Sequence, residues 1–402
     1  MSTRSSLDRA EASGVSPLLS LGPFATMADR FAVAPLLIPM AVSLHVTLAV
    51  ASGTASLYYL AYGLMPALWG VLSDRLGRVH VMRLTLAGTA VADVLSAAAP
   101  NLTILLIARF VTGGLACGVM PTTLVYIGDR YPFNVRQQAI TRVLVFVALG
   151  TAAGTIGAGL AAHILSWRVF FLFPAVIMAA LAIALGRVPE SLSVRSSQNP
   201  LQQIASVLRN RWAALLLALS ILVGAVMFGF VTYLAPALEA SGQSPAIAGL
   251  VVGSYGLSVL LSTRLFRPVA RRVSVPIILA GGAAMLMVGF VIAASGQSLV
   301  PILLASVLAG GAYVFMQSTF QTWATDVVPR ARGTSAALFA TAIFTGAAIA
   351  TAAVAGLASA HRYSLLFLIA AIVTVPVLVG GTFGRWRYPG SEVVGEPQPE
   401  IG

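Results

Sequence analysis

Twelve stretches of this chain, each about 18 to 25 residues long, are apolar with almost no charge inside them. A helix of about 20 residues crosses the ~30 Å hydrocarbon layer of a bilayer. The runs lie at roughly 20–44, 54–72, 82–99, 102–126, 141–163, 168–186, 213–236, 246–265, 275–295, 299–323, 334–358 and 363–384. They predict an all-α membrane protein with 12 transmembrane helices. A soluble fold fails on composition: 9% of the residues are charged and 58% hydrophobic, against about 25% charged in soluble domains. The first run is too long for a signal-peptide core and reads as a retained span.

The charges that remain are informative by position. The net charge is +12, and all 24 basic residues are Arg. Of these, 20 fall in the loops and helix ends on one side, including Arg4, Arg9, Arg195, Arg271 and Arg272. Such an excess marks the cytoplasmic side. Both termini are therefore expected inside, in a multi-pass protein of a bacterial-type inner membrane. The partner implied by these Arg is the lipid bilayer, and no nucleic acid is expected.

Composition also excludes chemistries. Without Lys there is no GxxxxGK[ST] phosphate loop and no Schiff-base site. The single Cys117 permits no disulfide. The four His, at 45, 80, 163 and 361, are dispersed, so no metal site is expected. The reading is a protein without cofactor and without enzymatic activity.

An internal repeat divides the chain. DRYP at 129–132 and DVVP at 326–329 are 197 residues apart, and so are AGLA at 158–161 and 355–358. Asp74-Arg75 maps onto Arg271-Arg272 at the same offset. The predicted organisation is a six-helix bundle over 1–190, a linker over 191–212 and a second six-helix bundle over 213–402. In the linker, Asn199-Pro200 offers a cap and first residue for a short amphipathic helix.

After the second run the chain reads GVLSDRLGR, residues 70–78. This resembles motif A of the major facilitator superfamily, which lies between the second and third helices of that family. The twelve runs and the repeat agree with the resemblance. It implies that Gly70, Asp74, Arg75, Gly77 and Arg78 form a cytoplasmic latch against the eleventh helix, which starts here near Gly333-Thr334. ARFVTGGLAC, residues 108–117, resembles motif B of proton-coupled members through Arg109 and Gly113. GTAAGTIGAG, residues 150–159, resembles motif C of antiporters in part: Gly150, Gly154 and Gly159 fit, while Thr155 replaces its Pro. Small-residue helix packing explains the same glycines.

Four charges lie well inside the apolar runs, away from their ends: Asp29, Arg30, Asp93 and Arg109. Each charge in hydrocarbon costs roughly 2.5–3.5 kcal/mol even on insertion scales, so each needs a partner or a function. Asp29 and Arg30 point about 100° apart on a helix and do not face each other. Two acids and two Arg balance in number. Depth allows Asp93 to pair with Arg109, and also Asp29 with Arg109; the sequence leaves both open. These four are the candidate proton-coupling residues, and no charge falls well inside the last six runs as bounded above. Tyr313, Gln317 and Gln321 share a face in the tenth run, and Phe228, Phe230 and Tyr233 stand in the seventh. The resemblance puts both runs beside a central cavity, so these six are the candidate substrate surface. The implied function is a monomeric secondary transporter that couples protons to efflux of small amphipathic molecules or drugs. A sugar or metabolite permease and a lipid flippase are alternatives on the same fold, and a non-transporting sensor is a more remote one.

Overall fold

The structure, a computed structural model, describes residues 16–191 and 200–388. Arg4, Arg9, Arg195 and the cap expected at Asn199 lie outside the described residues. Among the described residues every regular element is a helix. The first bundle holds α1 (Leu18–Ser43), α2 (Leu48–Leu64), α3 (Pro66–Leu76), α4 (Arg78–Ala98), α5 (Leu102–Arg130), α6 (Phe133–Ile164) and α7 (Trp167–Arg187). A short α8 (Pro200–Leu208) follows. The second bundle holds α9 (Arg211–Ala240), α10 (Pro245–Ala270), α11 (Val275–Ser295), α12 (Leu299–Asp326), α13 (Arg332–Ser359) and α14 (Tyr363–Arg387).

Eleven of these helices are long and apolar enough to cross a bilayer, and the pair α2 and α3 makes a twelfth span bent by 48°. The bend falls at Pro66, which has no N–H to give the preceding turn. Elsewhere the chain is punctuated by polar caps. Asn101 accepts from Ile104 N at 3.0 Å to start α5 after a tight connection. Asn210 Oδ1 accepts from Trp212 N and Ala213 N at 2.9 and 3.2 Å to start α9. Ser244 caps α10 ahead of Pro245. Inside α9 the helix widens to a π turn over Ala225–Gly229 and tightens to a 3-10 turn over Val231–Tyr233, a local irregularity that often accompanies function.

Lipid-facing helices gain little from apolar burial against one another, so close packing of small residues holds them. Gly150 and Gly154 of α6 lie directly on the backbone of Phe24 and Ala28 in α1, so a Cβ on either would overlap a carbonyl oxygen. The motif C-like glycines thus set the position of α1 one residue ahead of Asp29. Gly154→Val is accordingly expected to abolish folded protein, read as loss of the monodisperse peak in detergent gel filtration. A normal peak would show that α1 shifts freely.

The bundles meet along two seams, α2 against α13 and α6 against α10. Thr341 Oγ1 donates to Gly63 O at 2.7 Å in the first, and Gly159 abuts Pro245 and Gly249 in the second. At the Arg-poor end, Ala49 N donates to Ser359 Oγ at 2.6 Å. At the Arg-rich end, Gly70 and Gly333 face open space.

Candidate transport site

Three of the four buried charges come together. Arg109 of α5 donates to Asp29 of α1 through both terminal nitrogens, at 2.6 and 3.2 Å. Its Nη1 also reaches Asp93 Oδ1 of α4 at 3.3 Å. Thr112 Oγ1, one turn on from Arg109, lies 3.4 Å from the same Asp93 oxygen. Asp29, Asp93 and Arg109 are all 0% exposed. The guanidinium is stacked between the rings of Tyr58 and Phe171, at 4.8 and 4.9 Å. Asp93 Oδ2 and Arg109 Nε have no hydrogen-bond partner among the described residues. Gly113 allows this arrangement: it lies against the backbone of Tyr58, so α2 and α5 approach closely enough to bring that ring over Arg109.

Sequence left open whether Asp29 or Asp93 pairs with Arg109, and both do. The equal count of acids and Arg is therefore not a balance in space: one cation takes two carboxylates, and Arg30 is left over. Arg30 is 6% exposed, no carboxylate lies within ion-pairing distance of it among the described residues, and its Nε has no partner there. It sits instead in an aromatic cage. The rings of Phe31, Phe228, Tyr62 and Phe344 lie 4.9, 5.2, 5.4 and 5.4 Å from its Cζ. Tyr58 and Tyr62 stack on each other at 5.9 Å, so two rings stand between the two guanidinium groups.

Beside Arg30 lies a cavity of about 20 Å³, walled by Phe31, Tyr59, Phe228, Thr232 and Tyr255 with Arg30 as its charged group. Tyr59 and Thr232 hydrogen-bond across it at 3.2 Å, joining α2 to α9. The hydroxyl of Tyr255 is buried and has no partner among the described residues.

The expected substrate surface needs correction. With Phe228 on the cavity, Val231 and Thr232 follow on the same face. Phe230 and Tyr233 point the other way. Phe230 packs on Phe290 of α11, and Tyr233 donates to Thr351 O of α13 at 2.5 Å. Positions two and five along a helix turn by about 200° and 140°, and the sequence could not say which face was inward. Tyr313 does belong to the cluster: its ring contacts Phe228 and Tyr255 at 6.1 and 6.2 Å. Gln317, a turn farther on, has a buried Oε1 without a partner among the described residues, and Gln321 is exposed. The last six spans do carry an acid near an end. α9 runs on to Ala240, and Glu239 Oε1 is buried without a hydrogen-bond partner among the described residues.

The motif A residues pair within their own bundle. Asp74 bonds Arg78 at 2.5 Å, and Arg78 also reaches Ser73 Oγ at 2.6 Å and Asp129 at 3.3 Å. Arg75 is exposed. Gly77 has φ of +100°, a turn that a side chain would strain. Among the described residues no hydrogen bond or ion pair joins this loop to the start of α13; α8 meets that start instead, where Thr334 Oγ1 donates to Gln203 Oε1 at 2.5 Å. Sequence reasoning missed Glu190, whose carboxylate accepts from Val79 N and His80 N at 2.8 and 2.9 Å and so caps α4. Glu190→Ala is expected to cost about 1 kcal/mol, measured as a lower thermal midpoint in detergent. An unchanged midpoint would assign the cap no weight.

The family model of the Major Facilitator Superfamily matches residues 19–351 and, in an overlapping match, 236–401. The chain belongs to the Major Facilitator Superfamily. It is similar to the multidrug resistance protein MdtG of Proteus mirabilis, 27% identical over 57% of this chain and 59% of that one. It resembles the uncharacterized MFS-type transporter YceJ of Bacillus subtilis, 28% identical over 80% of this chain and 84% of that one. A niacin transporter, NiaP of Acinetobacter baylyi, is 30% identical over 31% of this chain and 28% of that one. The chain thus spans about three-fifths of the multidrug relative and less than a third of the niacin transporter. In fold it is similar to the nucleoside transporter NupG, with a TM-score of 0.77 at 15% identity over 92% of this chain and 99% of that one. The D-xylose-proton symporter gives 0.73 at 16% over 92% and 96%. This major facilitator chain is a multi-pass membrane protein.

Proposed function

We propose that this transporter couples proton movement to movement of a small amphipathic molecule by alternating access, and that it exports that molecule in exchange for protons. The triad of Asp29, Asp93 and Arg109 carries the reading. Two carboxylates on one guanidinium, all 0% exposed, sum to −1 when both are ionised. An isolated net charge is costly in a low-dielectric interior, so the triad is neutral when the carboxyls hold one proton between them. Gain and loss of that proton on opposite sides of the membrane is the coupling step. The energy source is then the proton gradient, with no cofactor, and the working unit is a single chain in a bacterial inner membrane with both termini cytoplasmic. The likeness to MdtG, named for multidrug resistance, supports export of a drug-like molecule.

A second reading rests on Arg30. A substrate that neutralises this cation leaves the region balanced only when the triad is protonated as well, so substrate and proton would travel together. Liposomes holding the protein and a pH-sensitive dye decide between the two. Under exchange, substrate added outside discharges an acid-inside gradient. Under co-transport, substrate added without a gradient acidifies the interior. No dye response to cations, neutral lipophiles, anions or sugars, with folded protein, would remove the proton from the mechanism.

A further inference from the structure

A buried cation in a transporter cavity needs an anion, and none lies beside it among the described residues. We infer that the cavity beside Arg30 is a binding site for an amphipathic organic anion, with Arg30 and Tyr255 holding its carboxylate or equivalent acid group and the aromatic cage holding its apolar body. The inference deepens the second, co-transport reading above and rests on it for the word substrate, but the binding itself does not depend on proton coupling.

Three observations converge. First, the charged group on the cavity is Arg30, and the buried acids of its own bundle, Asp29 and Asp93, are spent on Arg109. Cation–π contacts return about 0.5–2 kcal/mol, while burying an ion without a partner costs several kcal/mol. The four rings lessen that cost without removing it. Second, the unpartnered polar groups there can both donate, Arg30 Nε as a donor only and the Tyr255 hydroxyl as donor or acceptor. Arg30 Nε and the Tyr255 hydroxyl are both buried without a partner among the described residues, and both belong to residues that wall the cavity. Donors at one site call for an acceptor, and hydrogen bonds to an ionised acceptor are the stronger kind. A cationic drug would meet Arg30 with no carboxylate on the wall to offset it. Third, the apolar part of the wall is aromatic and comes from both bundles: Phe31 and Tyr62 from the first, Phe228 and Phe344 from the second. The cavity of about 20 Å³ has room for roughly one water. Entry of a larger anion therefore requires Phe228 and Phe344 to move away from Arg30, which is the motion that separates the bundles. The anion and the opening of the bundles are thus linked at one residue.

The test uses three probes of one shape and three charges: phenylbutyrate, phenylbutyramide and phenylbutylamine. Binding to purified protein in detergent is followed by calorimetry and by the shift in thermal midpoint, without a pH gradient. Wild type is expected to bind the carboxylate at least about 10-fold more tightly than the amide or the amine, the scale of hydrogen bonds to a charged group. Arg30→Gln removes an unpaired charge and is expected to fold; it should erase the preference for the carboxylate. Arg30→Lys should keep part of that preference, and Tyr255→Phe should weaken the carboxylate alone. Binding of the amine or amide as tight as that of the carboxylate overturns the inference. So does carboxylate binding that Arg30→Gln leaves unchanged, and so does the absence of carboxylate binding at millimolar concentration. Liposomes that show no proton movement while the carboxylate preference stands would sink the transport mechanism and leave the site in place.

Discussion

Arg109→Met is expected to lower stability by about 3–5 kcal/mol, the usual result of leaving buried charge uncompensated, and to yield little folded protein. Methionine matches much of the volume of the side chain, so packing between Tyr58 and Phe171 changes little. What changes is charge. Asp29 and Asp93 are each 0% exposed and both depend on this guanidinium. Without it, two carboxylates share one site with no counter-ion. The measurement is the thermal midpoint and gel-filtration profile in mild detergent. Adding Asp29→Asn and Asp93→Asn to Arg109→Met makes the whole set neutral, and it is expected to recover most of the lost stability. If the single variant melts like wild type, Arg109 does not hold the two acids. If the triple variant fails as badly as the single one, the loss comes from shape and not from charge.

Much of the fold was legible because a bilayer leaves few choices. Backbone groups inside it must bond within their own segment, so apolar runs of about 20 residues read directly as helices. The Pro66 bend was not, since the apolar pattern continues straight across it from Leu64 to Leu72. Within the site, sequence could find the four charges but not their pairing. Depth along a hairpin placed Asp93 and Arg109 level, and it said nothing about the rotation of α1 that brings Asp29 to the same guanidinium. The same lack of rotational information misplaced Phe230 and Tyr233, which share one face of α9 while Phe228 holds the other. A usable signal lies in YYLAY, residues 58–62. Tyr58 and Tyr62 are four apart and so share a face; one ring covers Arg109 and the other covers Arg30. Glu239 falls three residues beyond the seventh apolar run as bounded, whereas α9 carries Pro236 within its last turns and runs on to Ala240.

Asp29→Asn is expected to fold and to lose proton coupling, and the reason lies in the 2:1 stoichiometry of the triad. Wild type has one carboxylate more than Arg109 can neutralise, and that excess is what gives a proton a place to sit. The substitution leaves one carboxylate and one guanidinium, which balance without any proton. Substrate-driven proton movement in liposomes should then fall by about 5- to 150-fold, the range of coupling free energies of ~1–3 kcal/mol, while binding at the Arg30 cavity persists. Asp93→Asn removes the same excess from the other partner and should give the same loss. The two variants should differ in stability. Asp29 takes both terminal nitrogens of Arg109, at 2.6 and 3.2 Å, whereas Asp93 takes one at 3.3 Å and leaves Oδ2 without a partner among the described residues. Asp29→Asn should therefore melt at a lower temperature than Asp93→Asn. Proton movement lost in one variant and intact in the other would assign the proton to a single carboxyl in place of the pair. Proton movement intact in both would move the coupling step away from the triad, with Glu239 the next buried acid to replace.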